Sequence, residues 1–303
     1  MKKILITIIA IVITFNSFAC PICGCGGGNL YMGLMPDFKS KFFGFRYNYS
    51  DYHTQLASDI TQHSNNYYNS IELWGGYNIN RKLRVMAFVP YYINKQIDDD
   101  GITNTNGLGD ISVMAQYNIW QSITPLNNNK AIKQQLWIGG GLKIPTGTFK
   151  VDLADSSTTL SDINAQLGTG STDFILNGQY NLQYGRFGVN VSANYKMNTE
   201  NSDKYQYGNK FSSNLLAFYH LGSHHYAISP NVGLGYEHTG SNKLQGEKVQ
   251  FTGSHLVTAI AGVELSYKAI GFGVNVQLPA NQDFAEGQTE LKMKAMAHLS
   301  YSF

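Results

Sequence analysis

The sequence has little charge and, after its N-terminus, no long apolar run. Only 14% of its 303 residues are Asp, Glu, Lys or Arg, whereas about a quarter are charged in a typical soluble domain. The chain after residue 19 contains no apolar run of about 18 residues, which excludes a bundle of membrane-spanning helices. The lack of a basic surplus argues against a nucleic-acid partner. Aromatics at 13%, together with 31 glycines, indicate an ordered β protein.

The first nineteen residues have the pattern of a secretory signal. Two lysines precede an apolar run from Ile4 to Phe15, and Ser17 and Ala19 provide small residues for cleavage. We therefore expect residues 1–19 to be removed on export. Loss of those two lysines from the 22 basic residues leaves as many basic as acidic residues, so the mature chain is formally neutral.

Apolar and polar residues alternate along most of the chain from Lys41 to Phe303, as they do in strands that have two different faces. The alternation is clearest in the last strand, where every second residue from Leu291 to Phe303 is apolar or aromatic. A soluble β-sandwich would alternate in the same way. Twelve segments are predicted to be strands: 41–52, 67–78, 82–94, 109–120, 133–145, 171–182, 187–197, 210–221, 225–238, 252–267, 270–279 and 289–303.

Connection lengths favour a membrane barrel over a sandwich. Long polar connections, such as 146–170 and 198–209, alternate with tight turns, such as Asn80-Arg81 and Lys268-Ala269, and 121–132 is the exception. Short turns at one rim and long loops at the other are typical of outer-membrane barrels. An even number of strands places both termini in the periplasm. We therefore predict an all-β fold for 41–303, a transmembrane antiparallel barrel of about twelve strands in a bacterial outer membrane.

The chain ends inside its last strand, on the aromatic residue Phe303. A terminal aromatic residue on an amphipathic strand resembles the signal that the barrel assembly machinery recognises. Tyrosines near strand ends, including Tyr77, Tyr117 and Tyr219, fit an interfacial girdle. The expected surroundings are therefore outer-membrane lipid, with the assembly machinery as a partner during insertion.

Charged residues in the predicted strands mostly occupy the alternate positions that share one face of the sheet. A Lys or Arg on the lipid face would cost about 2–4 kcal/mol at the midplane, so these positions are expected to face the lumen. Two interpretations stay open: the charges pair and fill the lumen, or they form a two-signed lining that conducts small solutes. The candidate lumen-lining residues are Arg46, Glu72, Arg84, Asp110, Lys143, Asp173, Lys196, Glu237, Glu264, Lys292 and Lys294.

All three cysteines, Cys20, Cys23 and Cys25, lie at the start of the mature chain. Four hypotheses are open: lipidation of Cys20, a disulfide, a Cu or Zn site formed by soft thiolates, or a redox role. The residue after Cys23 is Gly24, which excludes a c-type haem site. Residues 20–40 are thus predicted to be a Cys/Gly-rich periplasmic arm that acts as a plug or a metal site.

Enzymatic function and a histidine metal site are weaker hypotheses. His63–Asn65 and His238–Asn242 are similar to the His-Ser element of outer-membrane phospholipases, but neither has the required spacing. Chance pairing in a Ser- and Asn-rich chain explains both. His220, His224 and His225 lie near a predicted periplasmic turn without a neighbouring carboxylate or cysteine, and we expect them to be exposed polar residues.

Four short segments carry a family resemblance: Val89–Tyr91, Gly107–Asp110, Gly141–Gly147 and Leu167–Phe174. Together they resemble the outer-membrane family called putative MetA-pathway of phenol degradation. The resemblance implies a transporter-like barrel for small, often aromatic compounds, with no catalysis. We therefore expect an outer-membrane channel for small solutes. A metal-linked barrel that uses the cysteine arm and an outer-membrane lipid-modifying enzyme are the alternatives.

Overall fold

A computed structural model describes residues 41–55, 63–99, 101–126, 131–150, 165–222 and 226–303. The predicted signal, the cysteine arm with Cys20, Cys23 and Cys25, and the proposed plug lie outside these residues. The described parts contain no helix that is long and apolar enough to cross a membrane.

Strands make up nearly all of the regular structure. Their bounds are β1 (Lys41–Gln55), β2 (His63–Asn78), β3 (Leu83–Asp98), β4 (Gly101–Leu108), β5 (Ile111–Pro125), β6 (Ala131–Ile144), β7 (Asp173–Tyr184), β8 (Phe187–Met197), β9 (Tyr205–Gln206), β10 (Lys210–Tyr219), β11 (Leu221–Gly222), β12 (Tyr226–Thr239), β13 (Lys243–Leu244), β14 (Glu247–Lys248), β15 (Ser254–Tyr267), β16 (Ile270–Phe284) and β17 (Thr289–Ser302).

Twelve of these strands close into one antiparallel barrel. The fourteen-stranded sheet consists of these twelve and two short additions, β4 on β3 and β11 on β12. The first strand pairs with the last, from Phe42 opposite Ser302 to Thr54 opposite Thr289. Pairing of β10 with β12 completes the ring. The predicted all-β transmembrane-type barrel of twelve antiparallel strands is therefore confirmed in its fold, and closure leaves the barrel without an open sheet edge.

The barrel has two unlike rims. Lys41, Phe303 and tight turns such as Tyr184–Phe187 lie at one rim, which we call the terminal rim. The opposite end, the loop rim, carries the long connections. There β9, β13 and β14 form a separate three-stranded sheet from segments that were predicted to be loops.

The segment 95–108, predicted to be a loop, is mostly strand. It extends β3 to Asp98 and forms β4, which pairs with β3 from Gly101 opposite Asp98 to Leu108 opposite Tyr91. The Asp98 carboxylate accepts a hydrogen bond from the Gly101 amide at 3.0 Å and so closes the turn. Backbone pairing needs no apolar face, which is why the polar composition of this hairpin was misleading.

The outer surface of the barrel is apolar. Exposed aliphatic side chains cover it at mid-height, such as Val191, Leu215 and Leu234, the last at 54% exposure. Exposed aromatic residues gather near the terminal rim, namely Tyr77, Tyr117, Tyr184, Phe187, Tyr219, Tyr226, Tyr267 and Tyr301. An apolar belt that is flanked by aromatic residues matches the hydrocarbon core and interface of a bilayer.

The interior of the barrel is mixed. One side holds a buried apolar cluster, here called the apolar wall, made of Phe42, Trp74, Met86, Phe88, Met114 and Ile175. The rest is largely polar, and Gln116 and Asp173 are fully buried. Side chains rather than open space therefore occupy much of the lumen, as in other narrow barrels.

Candidate functional site

Ten of the eleven candidate lumen charges lie inside the barrel. Their strands carry them on the parity of the buried residues, and each one contacts other inward groups or lines the interior cavity. They are Arg46, Glu72, Arg84, Asp110, Lys143, Asp173, Lys196, Glu237, Glu264 and Lys294.

Lys292 lies outside, so its predicted inward position is wrong. A β-bulge pairs Asp51 with Met293 and Tyr52 with Leu291, which leaves Lys292 without a partner in the β1–β17 register. The bulge turns Leu291 into the core at 1% exposure. The Lys292 ammonium instead lies 2.7 Å from the Glu290 carboxylate, with its side chain 51% exposed. One extra residue reverses the facing of the positions beyond it.

A buried ion cluster, the rim cluster, sits at the loop rim where β5, β6 and β7 begin or end. Lys143 Nζ lies 2.6 Å from Asp110 Oδ2 and 2.8 Å from Asp173 Oδ2. Lys143 also donates to the Thr169 hydroxyl. Asp110 accepts hydrogen bonds from the amides of Gly147 and Thr169, each at 2.9 Å. Three of the four segments that carry the family resemblance therefore meet around one lysine.

Close backbone packing explains a glycine in this cluster. A Cβ on Gly168 would lie 2.6 Å from the Gly147 carbonyl oxygen and 2.6 Å from Asp110 Oδ1. No real side chain tolerates such contacts with backbone atoms, so only glycine fits. The segment around Gly168 is thereby held against the barrel mouth.

A network of side-chain amides, the lumen network, crosses the interior. Arg84 on β3 donates to Gln179 on β7 at 2.9 Å and to Gln116 on β5 at 2.5 Å. Gln116 donates to Asn177, which donates to Asn194 on β8 at 2.5 Å. These four amide residues were not among the predicted lumen residues, although their inward-facing positions are visible in the alternation of the sequence, because they carry no charge.

Cations in the lumen also lie over aromatic rings. The Arg84 guanidinium lies 4.2 Å from the centre of the Trp137 ring. Arg46 pairs with Glu72 across β1 and β2, and its guanidinium lies 5.2 Å from the Trp74 ring. Such contacts let a guanidinium sit beside an apolar wall while it keeps its charge partner.

On the opposite side of the lumen, Glu237 on β12 lies between two lysines, 3.0 Å from Lys210 and 2.8 Å from Lys294. His298 on β17 lies 2.9 Å from Glu264 on β15. Two of these three pairs connect strands that are not neighbours: Glu237 with Lys294 joins β12 to β17, and His298 with Glu264 joins β15 to β17. They therefore hold β17 to β15 and β12 along the inner wall of the barrel.

A cavity of about 60 Å³ opens at the loop rim, and we call it the mouth cavity. Phe88, Tyr92 and Ile175 supply apolar lining, while Lys196 and Tyr207 are among its polar residues. Burial raises the pKa of Tyr207 well above its usual range, an effect that nearby acidic groups reinforce. The Tyr207 phenol is therefore a neutral hydroxyl at physiological pH.

The described residues do not assemble the weaker candidate sites. The exposed His63 ring is 3.9 Å from Asp99, whereas Ser64 is buried and accepts from Asn66. The Ser241 hydroxyl donates to a backbone carbonyl at 3.2 Å. Within the same residues no three His, Cys, Asp or Glu side chains are grouped to hold a metal ion. His224 and His225 lie outside the described parts.

A match to a family model establishes the family of this chain. A family model described as "Putative MetA-pathway of phenol degradation" matches residues 45–289. The chain belongs to this family. The match includes the segments that form the rim cluster, and it confirms the resemblance found in the sequence.

Two solved structures are similar to the chain, and the first of them shows the same fold. The COG4313 outer membrane channel from Pseudomonas putida F1 aligns with a TM-score of 0.61 at 13% identity, covering 91% of this chain and 99% of that one. The β domain of the Bordetella autotransporter BrkA aligns with a TM-score of 0.48 at 12% identity, covering 88% of this chain and all of the other. No curated protein sequence matches the chain. With its apolar belt, the barrel is of the outer-membrane type.

Proposed function

We propose that this protein is an outer-membrane channel for small solutes, including hydrophobic or aromatic compounds. One observation carries the proposal: a closed barrel has an apolar outer face around a polar interior that contains charges of both signs. A barrel with a lipid-facing exterior and a polar lumen is the architecture of outer-membrane channels. The P. putida barrel that shares this fold is itself described as an outer membrane channel.

The apolar wall favours solutes that are partly apolar. Trp74 and Phe88 stack with ring centres 6.5 Å apart inside the barrel, while Glu237 lies on β12, well away from them around the ring of strands. A small aromatic compound with a hydroxyl group would contact rings on one side and hydrogen-bonding groups on the other. The family description, which refers to phenol degradation, agrees with such solutes.

Passage requires movement of side chains rather than of strands. The lumen network and the pair between Lys294 and Glu237 cross the interior, while the backbone ladder around them is closed. Rotamer changes of exposed or loosely held side chains occur within nanoseconds, whereas strand separation is far slower. A narrow, selective channel is therefore expected rather than a wide porin.

The proposed orientation has the terminal rim in the periplasm and the loop rim at the cell surface. Both termini of the barrel, Lys41 and Phe303, lie at the rim with tight turns. Outer-membrane barrels keep short turns on the periplasmic side and long loops outside. The strand that ends at Phe303 is the proposed signal for the assembly machinery. An epitope inserted at the Gln245–Gly246 turn, between β13 and β14, should be accessible to antibody on intact cells.

Solute flux into liposomes tests the channel directly. Purified, folded protein reconstituted into vesicles should admit phenol-sized neutral solutes faster than protein-free vesicles do, and it should exclude oligosaccharides. Equal flux in both preparations, with the protein verified as folded, would rule out the proposed function. Lipid hydrolysis measured in the same vesicles separates conduction from the enzyme alternative, and no hydrolysis is expected.

A further inference from the structure

Lys196 lines the mouth cavity as a cation that forms no direct ion pair, although the carboxylates of Asp173 and Asp110 act on it from a distance. Its side chain leaves the loop-rim end of β8 on the inward face, between Ile175 on β7 and Lys210 on β10. Among the described residues no carboxylate forms an ion pair with it, and it makes no hydrogen bond. An amine directly opposite another lysine is an unfavourable arrangement unless a negative group is nearby.

The neighbouring charged groups are mostly paired with one another. Arg46 and Glu72 neutralise each other, and the rim cluster has one more negative than positive charge. The group of Lys210, Glu237 and Lys294 has one more positive than negative charge. The surplus negative charge of the rim cluster acts on Lys196 from a distance, but no carboxylate contacts its ammonium directly, so this amine is open to a ligand with a negative charge.

The cavity also has an apolar side and a limited size. Phe88 and Ile175 are buried at 2% exposure each and face the same space as Lys196. A water molecule needs about 10–15 Å³ of such space, so the cavity holds roughly four to six water-sized groups. That is about the volume of a short fatty acid such as butyrate.

We infer that the mouth cavity binds a short-chain monocarboxylate, with its carboxylate on Lys196 and its alkyl chain against Phe88 and Ile175. The inference rests on the proposed function, because it names a solute class that such a channel would collect at its outer end. Lys143, Lys210 and Lys294 are committed to carboxylates of the protein. Lys196 is thus the amine that a ligand can engage without breaking an existing ion pair.

Calorimetric titration of folded protein in detergent tests this site, with butyrate as the probe. Wild-type protein should bind butyrate, and butyramide should bind about tenfold or more weakly, because it lacks the charge that strengthens a hydrogen bond to an amine. Lys196→Met should weaken butyrate binding by a similar factor, and Lys196→Arg should retain it. Lys292→Met, on the outside of the barrel, is the matched control and should bind like wild type.

Equal affinity for butyrate and butyramide in wild-type protein would overturn the site, and this comparison needs no variant to fold. Equal butyrate affinity in wild-type and Lys196→Met protein, each verified as folded by its heat-dependent gel migration, would overturn it as well. Failure of the butyrate site is distinct from failure of the channel. A protein that conducts solutes but does not bind butyrate would overturn only the proposed site. A protein that binds butyrate but conducts nothing would support the proposed site and overturn the proposed channel function.

Discussion

The Lys143 ammonium lies 2.6 Å from the carboxylate of Asp110, a residue 33 positions earlier in the chain, and both side chains are almost fully buried. Asp173 completes the arrangement at 2.8 Å from the same ammonium. One lysine thus joins the loop-rim ends of β6 and β7 to the residue before β5. Because Asp110 also holds the amides of Gly147 and Thr169, the rim cluster fixes the chain that borders the mouth.

Lys143→Met should loosen the loop rim. Two buried carboxylates would lose their cation, and breaking a buried pair from one side typically costs about 3–5 kcal/mol. We expect faster hydrogen exchange at the amides of Gly147 and Thr169, with the barrel strands still protected. Exchange measured by mass spectrometry checks this, with the exposed Lys292→Met as control. Unchanged protection at 147 and 169 would mean that the rim cluster does not hold these segments.

Gly168→Ala should disturb the same region through sterics alone. Its Cβ would meet backbone oxygen at 2.6 Å, so the segment must shift away from Gly147. Gly178→Ala is the matched control, because a Cβ there has no atom within 4 Å. Thermal unfolding in detergent should show a lower midpoint for Gly168→Ala alone. Identical midpoints for the two variants would contradict the close packing described at the rim.

Arg46→Met should destabilise the barrel by about 3–5 kcal/mol, because Glu72 would remain as a buried charge without its partner. The double variant with Glu72→Gln should recover a large part of that loss. Lys204→Met removes an exposed pair with Glu200 and should change the free energy of unfolding by less than about 1 kcal/mol. Urea unfolding measures the free energy of unfolding of Arg46→Met, of the double variant and of Lys204→Met. A double variant no more stable than Arg46→Met would argue against coupling of the pair.

Leu215→Arg tests whether the outer face meets lipid. Leu215 is exposed at mid-height between Val191 and Leu234, where a cation should cost about 2–4 kcal/mol in a bilayer. Ile102→Arg is the control, since Ile102 is 60% exposed in the β3–β4 hairpin beyond the β5 pairing. Folding into vesicles should be impaired for Leu215→Arg only. Equal folding yields would place Leu215 outside the hydrocarbon layer.

The sequence predicted the barrel well because strand alternation is a local property with a period of two residues. The sequence failed to predict which face of a strand a side chain occupies where that depends on a distant partner strand. The bulge that turns Lys292 outward comes from pairing with β1, and nothing near Lys292 in the sequence indicates it. The contact between Lys143 and Asp110 likewise follows from closure of the sheet. Buried amides such as Gln116 were missed because neutral polar residues are common in loops too.

Single-channel conductance in planar bilayers tests the central claim most directly, using wild-type protein and Arg84→Ala. Arg84 joins Gln116 and Gln179 inside the lumen, so its removal should widen the lumen at that level. We predict small discrete conductance steps for wild type, larger steps for Arg84→Ala, and wild-type steps for Arg81→Ala, whose side chain lies in an exposed turn. Folded wild-type and Arg84→Ala proteins that both leave the bilayer non-conducting would contradict the account.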